Sequence, residues 1–465
     1  MLKKLSEEIG SLFIDFVKKE EAWIILLFVA GAITIPLIAV DSFPPLFWSF
    51  IAHTWWFWIF FPLFLLFREL MLYVRQTMFE NKINWVTLEL RVPREIEKSP
   101  RAMEQVLLTF NSLRNAADNA YETYWDGQMV LWSSLEVASF GGEIHFYVRV
   151  SDKHKNAVEA AFFSYYPDVE IIEADDYMSN FPRDTVEMRE RGLDIWGTEI
   201  ILARESAYPI KTYTNFENPE EAIQVDPIST TLEMLSKIKR GEMVCFQIII
   251  QPASKDWKDG EKKVLDKLQT PAITEVGKGE GKKSIPVLRT PGQTEVLEAV
   301  EKNISKPAFY TLIRVLYVAP LEIYSNGFAK GALANVFNQY GTLHLNAFKQ
   351  NSLAATAIKK RMSLSHTIFS KIRTEYRENQ FLYNIRKRKI LPETTMGRIL
   401  TSYFFHYNFS SKRFIMNVEG IATIFHPPTS FVLTAPHMKR TESKKAGPSA
   451  GLSIFGEEEE IEKFK

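Results

Sequence analysis

Two clusters of basic residues contain the side chains with the clearest potential for chemistry in this 465-residue chain. Both lie in residues 351–445, where 17 Lys and Arg stand against 5 Asp and Glu and aromatic residues are interleaved. Such side chains can contact the phosphates and bases of a nucleic acid, and basic clusters near a bilayer attract anionic lipids. A solvated face, or one that contacts acidic parts of the protein, fits the same spacing, so three interpretations stay open. The possible phosphate contacts are Lys359, Lys360, Arg361, Arg386, Lys387, Arg388 and Lys389.

A glycine- and lysine-rich stretch, residues 276–284, is where a nucleotide-binding loop could be sought. Such a loop needs a glycine, four residues and then Gly-Lys-Ser/Thr, so that backbone N–H groups surround the phosphates. Here Gly281-Lys282 is followed by Lys283, and Val276 stands where the first glycine is required. We therefore expect that this chain does not hydrolyse ATP.

Other residues that often build catalytic or metal sites are too few or too scattered here. The single cysteine, Cys245, excludes an intramolecular disulfide, and its apolar surroundings favour a buried, unreactive thiol. Asp175 and Asp176 are neighbours on a predicted strand, so their side chains diverge; we expect solvation or contact with basic groups rather than metal binding. The sequence therefore predicts a protein that is not an enzyme and has no metal and no cofactor.

Two long uncharged runs near the N-terminus predict a transmembrane hairpin. Residues 22–40 span ~29 Å as a helix, about the thickness of the hydrocarbon core, and residues 42–67 form the second run. Lys and Arg lie before the first run and after the second, so both termini and the soluble domains are expected on the cytoplasmic side of the inner membrane. Residues 1–21 carry apolar side chains at helical spacing, which predicts an amphipathic cytoplasmic helix.

Residues 84–178 have the pattern of a compact α+β unit. Alternating apolar and polar residues predict a strand from Asn84 to Pro93, and Ser99-Pro100 is typical of a helix start. A strand, a glycine turn at 141–142, a second strand, a helix and a last strand follow. The order β-α-β-β-α-β predicts a ferredoxin-like unit.

Residues 195–350 contain a fainter copy of the same order. The alignment of Gly142-Glu143-Ile144 with Gly241-Glu242-Met243 supports the repeat, and Ile210–Tyr213 is taken as one of its strands. Residues 268–290 are predicted to be a disordered insert because they are rich in glycine, lysine and proline. The predicted fold is therefore α+β: a two-helix transmembrane hairpin, tandem ferredoxin-like units and a basic C-terminal extension.

The formal net charge of zero hides large local differences. The basic segment 351–445 is predicted to be partly helical and partly β, and the tail 446–465 is acidic, with 5 Glu against 2 Lys. The first 350 residues carry 37 Lys and Arg against 46 Asp and Glu. The neutral total therefore excludes neither a membrane role nor a nucleic-acid role.

Several stretches of the chain resemble a bacterial family of uncharacterised membrane-anchored proteins. In many members of that family this region precedes a hexameric P-loop ATPase of the type IV secretion and conjugation class. The resemblance is carried by residues 85–106 (WVTLELRVPREIEKSPRAMEQV), 142–149 (GEIHFYVR), 166–168 (YPD), 417–428 (NVEGIATIFHPP) and 442–452 (ESKKAGPSAGL).

The resemblance implies a function without implying a catalytic site. This chain ends at Lys465, where such proteins continue into the phosphate-binding loop, so the ATPase is expected to be either a separate protein or absent. The expected role is a membrane-anchored, non-catalytic subunit of a type IV secretion-like or conjugation apparatus that seats this ATPase, and the resemblance implies a homo-oligomer that matches the hexameric motor. A membrane-tethered nucleic-acid-binding protein acting through residues 351–445 is the alternative. The possible partner-docking residues are Phe425, His426, Pro427 and Pro428.

Overall fold

A computed structural model describes most of the chain from Pro45 to Thr429. The described residues are 45–93, 98–216, 226–254, 256–270, 273–276, 283–286, 289–357, 370–402 and 409–429. The predicted amphipathic helix 1–21, the first predicted span 22–40, Lys359, Lys360, Arg361 and the acidic tail 446–465 lie outside them.

The described chain begins with a long helix, α1 (Pro45–Asn81), which contains Pro62. It covers most of the second predicted span, 42–67, and continues beyond it. Among the helices of the described residues, none combines the length and the apolar character that crossing a membrane requires.

The first half of the fold has the element order that the sequence predicts. Four antiparallel strands lie in the order β4-β1-β3-β2, with one helix after β1 and one after β3. Ser99 supports the start of the first of these helices, because its Oγ accepts a hydrogen bond from the Arg101 N–H. The elements are β1 (Trp85–Arg91), α2 (Arg101–Ser112), β2 (Ser133–Phe140), β3 (Glu143–Ser151), α3 (Lys155–Tyr165) and β4 (Glu170–Ala174).

The second half repeats this strand order with a long insertion. Its strands lie in the order β10-β5-β9-β6, and two helices and a two-stranded hairpin separate β6 from β9. The elements are α4 (Thr185–Glu190), β5 (Leu193–Leu202), α5 (Ser229–Ser236), β6 (Met243–Pro252), α6 (Trp257–Gln269), β7 (Ile273–Val276), β8 (Lys283–Pro286), α7 (Pro291–Ser305), β9 (Ala308–Pro320) and β10 (Phe348–Asn351).

One continuous antiparallel sheet joins the two halves, because β2 pairs with β6 from Ser133↔Ile250 to Phe140↔Met243. The strand order β4-β1-β3-β2-β6-β9-β5-β10 therefore has the same pattern read from either edge. A short strand pairs with the first residues of β9, and its neighbouring helices complete the described chain. These elements are α8 (Ser370–Arg386), α9 (Thr395–Leu400), β11 (Phe414–Asn417) and α10 (Val418–Ile424).

The coarse prediction of a mixed α+β fold is confirmed, and three local details differ. Tyr213–Asn215 forms a 3₁₀ turn where the sequence predicted a strand. Within the predicted disordered insert, β7 and β8 pair with each other. The glycine segments that suggested the repeat lie side by side, since the Gly141 N–H donates to the Glu242 carbonyl oxygen over 2.8 Å. By strand order β6 corresponds to β2, and not to β3 as that alignment assumed.

Each face of the sheet has its own cover. Helices α2, α3, α5 and α10 contribute apolar side chains to the main core on one face. On the other face, α8 packs Phe381, Leu382 and Ile385 against Cys245 and Leu316. We call residues 370–392, which include α8, the covering segment.

Candidate functional site

Arg388, predicted as a phosphate contact, belongs to the covering segment and is instead fully buried. Its guanidinium makes two hydrogen bonds to the Glu136 carboxylate, Nε to Oε1 over 2.9 Å and Nη2 to Oε2 over 3.0 Å. Nη1 lies 2.6 Å from Asp176 Oδ2. Such two-point pairing is strong and directional, so Arg388 fastens the end of α8 to β2 and has no surface to offer a phosphate.

The backbone of Arg388 is also unusual, with a φ of 49° in the left-handed region. The residue follows the C-terminus of α8, a position at which glycine is common because it has no Cβ to clash. An arginine in this conformation is costly unless its surroundings determine it. Here the carboxylates of Glu136 and Asp176 hold the side chain in place, so the buried ion pair stabilises an unfavourable backbone conformation.

The charge of Glu136 depends on this pair. Burial alone would raise the pKa of Glu136, but the charge of Arg388 and hydrogen bonds from Arg388, Ser134 and Tyr177 outweigh burial and lower the pKa to about 2. The carboxylate is therefore ionised at neutral pH although it is fully buried. Cys245 is buried beside it, as the sequence predicts, and burial raises the pKa of its thiol, which leaves it in the unreactive protonated form.

A row of polar side chains runs from this pair across the sheet. Gln247 on β6 stands opposite Glu136, Arg314 on β9 opposite Gln247, and Glu199 on β5 opposite Arg314. Arg314 is 1% exposed, and its Nε lies 3.4 Å from Glu199 Oε1. Four strands from both halves are thus linked by polar contacts on the face that α8 covers.

The same row holds the C-terminal end of α8. Gln247 Nε2 donates to the Ile385 carbonyl oxygen over 3.0 Å, and Arg314 donates to those of Asn384 and Lys389 over 3.2 and 2.7 Å. The last carbonyls of a helix lack partners within the helix and carry partial negative charge, so a buried arginine is a suitable partner. The signal for this contact was present in the sequence as single polar residues within apolar strands.

The other basic candidates in the described residues are mostly engaged as well. Lys389 Nζ lies 2.5 Å from Glu80 Oε2 on α1, and Arg386 Nε donates to the Met178 carbonyl oxygen over 3.4 Å. Lys387 is exposed. The structure therefore uses most of this charge internally, which corresponds to the third interpretation of the basic clusters.

The predicted docking residues Phe425, His426, Pro427 and Pro428 are all buried. His426 Nε2 lies 2.8 Å from Asp226 Oδ1, and Nδ1 lies 2.8 Å from the Ala422 carbonyl oxygen. Asp226 Oδ2 also accepts from the N–H and the hydroxyl of Thr429. These contacts anchor the chain after α10 in the core, so none of the four lies on a surface that a partner could contact.

An extensive uncovered surface lies on α1. Its large apolar side chains from residue 59 to residue 78 are exposed on one side of the helix, whereas Leu65 and Leu72 on the other side are 9% exposed. At 100° per residue these exposed positions form one broad face that is about 29 Å long. We call this face the apolar stripe. It comprises Ile59, Phe60, Leu63, Phe64, Leu66, Phe67, Leu70, Val74 and Met78.

An aromatic loop packs against α1 beside the stripe. Tyr121 and Trp125 are 63% and 55% exposed, and their rings stack with centroids 6.3 Å apart. Arg75 on α1 lies over the Trp125 ring at 5.0 Å. Exposed aromatic and basic side chains next to an apolar surface are typical of the boundary between membrane and water.

Comparison with known proteins gives the chain a family. Residues 75–440 match the model of a domain of unknown function, DUF8128. The chain belongs to the DUF8128 family. The comparison with curated proteins gives no significant match.

The DUF8128 match covers both halves of the sheet and the covering segment, and it begins within α1. Most of the apolar stripe precedes Arg75 and so lies before the matched region. The sequence suggested a membrane span up to residue 67, but it did not show that the apolar face continues to Met78. The recurrence of Phe67, Leu70, Val74 and Met78 at spacings of three and four could have revealed it.

Proposed function

We propose that this DUF8128 protein is a membrane-anchored, non-catalytic scaffold that holds its continuous two-part sheet at the cytoplasmic face of the inner membrane. The observation that carries the proposal is the apolar stripe on α1. Soluble monomers rarely expose a contiguous apolar surface of this extent, and such surfaces usually contact a membrane or a protein. The uncharged runs 22–40 and 42–67 and the basic residues beside them favour the membrane.

The rest of the fold supports a scaffold role in this proposal. We interpret the two halves as tandem ferredoxin-like units, because each has the strand order 4-1-3-2 and antiparallel pairing. The partner that we propose is a separate hexameric ATPase of a type IV secretion-like or conjugation apparatus. The resemblance of residues 85–106 and 142–149 to proteins that precede such a motor supports it, and a homo-oligomer is part of the same proposal.

The alternative, a nucleic-acid-binding protein acting through residues 351–445, gains no specific support from the described residues. Arg373, Arg377 and Arg388 are buried, and Lys389 is paired with Glu80. Binding in the described part would therefore depend on a small number of exposed residues such as Lys387.

Membrane extraction tests the anchor. We expect the full chain, expressed in bacterial cells, to stay in the membrane pellet after alkaline carbonate washing and to be released by detergent. Protease added to intact spheroplasts should leave residues 84–429 uncut, and protease added after lysis should cut them. Release by carbonate alone would overturn the anchor.

Purification tests the scaffold role. We expect the detergent-solubilised chain to co-purify with a hexameric ATPase and to elute as an oligomer by light scattering. A monomer that retains no ATPase under conditions in which the anchor is intact would remove the partner from the proposal and leave the anchor standing.

A further inference from the structure

Two adjoining cavities lie where α1 ends and meets the first half of the sheet. Their volumes are about 430 and 420 Å³, and both are lined by Phe79, Lys82 and Gln128. We call them together the α1 groove. One end is lined by Ser151 and Lys153 at the end of β3, and the other by Arg75 and Met78 on α1.

The wall of the α1 groove is fixed by a close approach of two backbones. Gly127 follows the turn Glu122–Asp126 and has a φ of 69°. A Cβ at this position would lie 2.4 Å from the Arg75 carbonyl carbon, so only glycine fits. This approach presses the loop against α1 and places Trp125, Asp126 and Gln128 along the groove.

The groove carries more positive than negative side chains. Arg75, Lys82 and Lys153 line it, and among the described residues none of the three has a carboxylate oxygen within 4.0 Å. Asp126 and Asp152 line it as well. Three cations that have no ion-pair partner within the described part of the chain, beside two carboxylates, leave positive charge available to an anion.

A residue with a buried hydroxyl also lines this space. Ser151 is 3% exposed and lines the larger cavity, and its Oγ has no hydrogen-bond partner among the described residues. A buried hydroxyl without a partner is unfavourable unless a ligand or water satisfies it. Lys82 and Lys153 line the same cavity, so a phosphate there would meet both cations and this hydroxyl.

The apolar stripe continues directly from the groove. Met78 lines the smaller cavity and also belongs to the stripe, which runs on through Val74 and Leu70 toward the predicted span. A charged pocket that opens onto an exposed apolar helix face matches a molecule with an anionic head and apolar chains. Inorganic phosphate would account for the charged part alone.

We propose that the α1 groove binds the headgroup of an anionic phospholipid. The phosphate is held by Lys82, Lys153 and the Ser151 hydroxyl, and the acyl chains lie along Met78, Val74 and Leu70. Arg75, stacked on Trp125, adds charge at the mouth of the groove. This inference rests on the proposed membrane anchor and names the lipid class that the anchored protein selects.

Lipid titration of the full chain in an uncharged detergent tests the proposal, with fluorescent phosphatidylglycerol and phosphatidylcholine as probes. We expect phosphatidylglycerol to bind more tightly and Lys82→Glu/Lys153→Glu to weaken its binding about 20-fold or more. Ser151→Ala should weaken it several-fold. Lys387→Glu, which reverses an exposed charge in the covering segment, is the matched control and should have little effect.

Each other outcome overturns the inference. Equal binding of both lipids would exclude headgroup selection, and an equal loss in Lys387→Glu would show general attraction to positive charge. Displacement of the lipid by millimolar inorganic phosphate would make the groove a free-phosphate site. None of these results would affect membrane retention under carbonate, so failure of the inference can be distinguished from failure of the anchor.

Discussion

The covering segment and the α1 groove are both rich in basic residues, but they use them in opposite ways. In the covering segment, Arg388 is buried between Glu136 and Asp176. In the α1 groove, Lys82 and Lys153 are exposed and have no carboxylate partner among the described residues. The number of charges in a segment therefore does not indicate its role. Its role is indicated by the partner groups that the neighbouring elements provide for each charge.

The difference has a physical cause. Burying a guanidinium is very costly unless carboxylates and carbonyls replace its water, and Arg388 meets Glu136 on β2, Asp176 after β4 and the Arg386 carbonyl oxygen at one place. Around the end of α1, three cations and two carboxylates line the groove, and none of the three cations has a carboxylate oxygen within 4.0 Å among the described residues. We therefore expect mutations in the covering segment to change stability, and mutations in the α1 groove to change ligand binding.

The largest effect is expected from Arg388→Met. This change keeps most of the side-chain volume but leaves Glu136 buried and unpaired, which should lower the free energy of unfolding by about 3–5 kcal/mol. Urea unfolding of the detergent-solubilised full chain measures it. Lys387→Met, at the exposed neighbouring position, should change it by no more than about 0.5 kcal/mol.

The double variant Glu136→Gln/Arg388→Met makes this test sharper. It removes both charges, so it should be more stable than Arg388→Met alone. If the losses of the two single variants simply add, the ion pair does not hold the covering segment in the way described.

Acid should weaken the same contact. The pKa of Glu136 is lowered to about 2 in the folded protein, from an ordinary value of 4.5. The stability that this provides is therefore fully present above pH 4.5 and is lost as the pH falls toward 2, by an amount of about 3 kcal/mol. Unfolding of the wild type and of the double variant between pH 5 and 2.5 measures it, and we expect a weaker pH dependence in the double variant.

A smaller loss is expected from Gly127→Ala in the wall of the α1 groove. The added Cβ meets the backbone of Arg75, and the left-handed conformation adds strain, so the cost should be about 2 kcal/mol. Gly192→Ala is the matched control, because Gly192 has a φ of 67° but no atom within 4 Å of an added Cβ. Its cost should be about 1 kcal/mol. Equal losses in the two variants would mean that the loop is not pressed against α1.

The smallest effect is expected at Glu378 in α8. Burial, followed by the charge of Asp194, raises the pKa of Glu378 to about 7 despite the nearby Arg189. The folded state thus binds this proton more tightly than the unfolded state, so stability should rise as the pH falls from 8 to 5.5. In Glu378→Gln this rise should be reduced, as thermal unfolding at both pH values would show. An unchanged rise would assign it to other groups.

The local pattern of the sequence predicted the elements better than it predicted the contacts of charged residues. Period-two alternation located β1, and Ser99-Pro100 located the start of α2, because both signals lie within a few residues. Arg388 could not be assigned in this way, since its partner Glu136 is 252 residues distant along the chain. His426 was misjudged for the same reason, because Asp226 lies 200 residues before it.

The pairing of β2 with β6 makes the two halves of this protein inseparable in practice. If the halves were separated, β2 and β6 would each become a long exposed edge strand with unpaired N–H and C=O groups and apolar side chains. Such an edge promotes aggregation. Neither half is therefore a suitable fragment for expression. Evolution could not exchange one half without keeping the pairing of β2 with β6. In a repeated assembly, β4 and β10, which are the edge strands of the sheet in the described residues, are the edges that remain for neighbours.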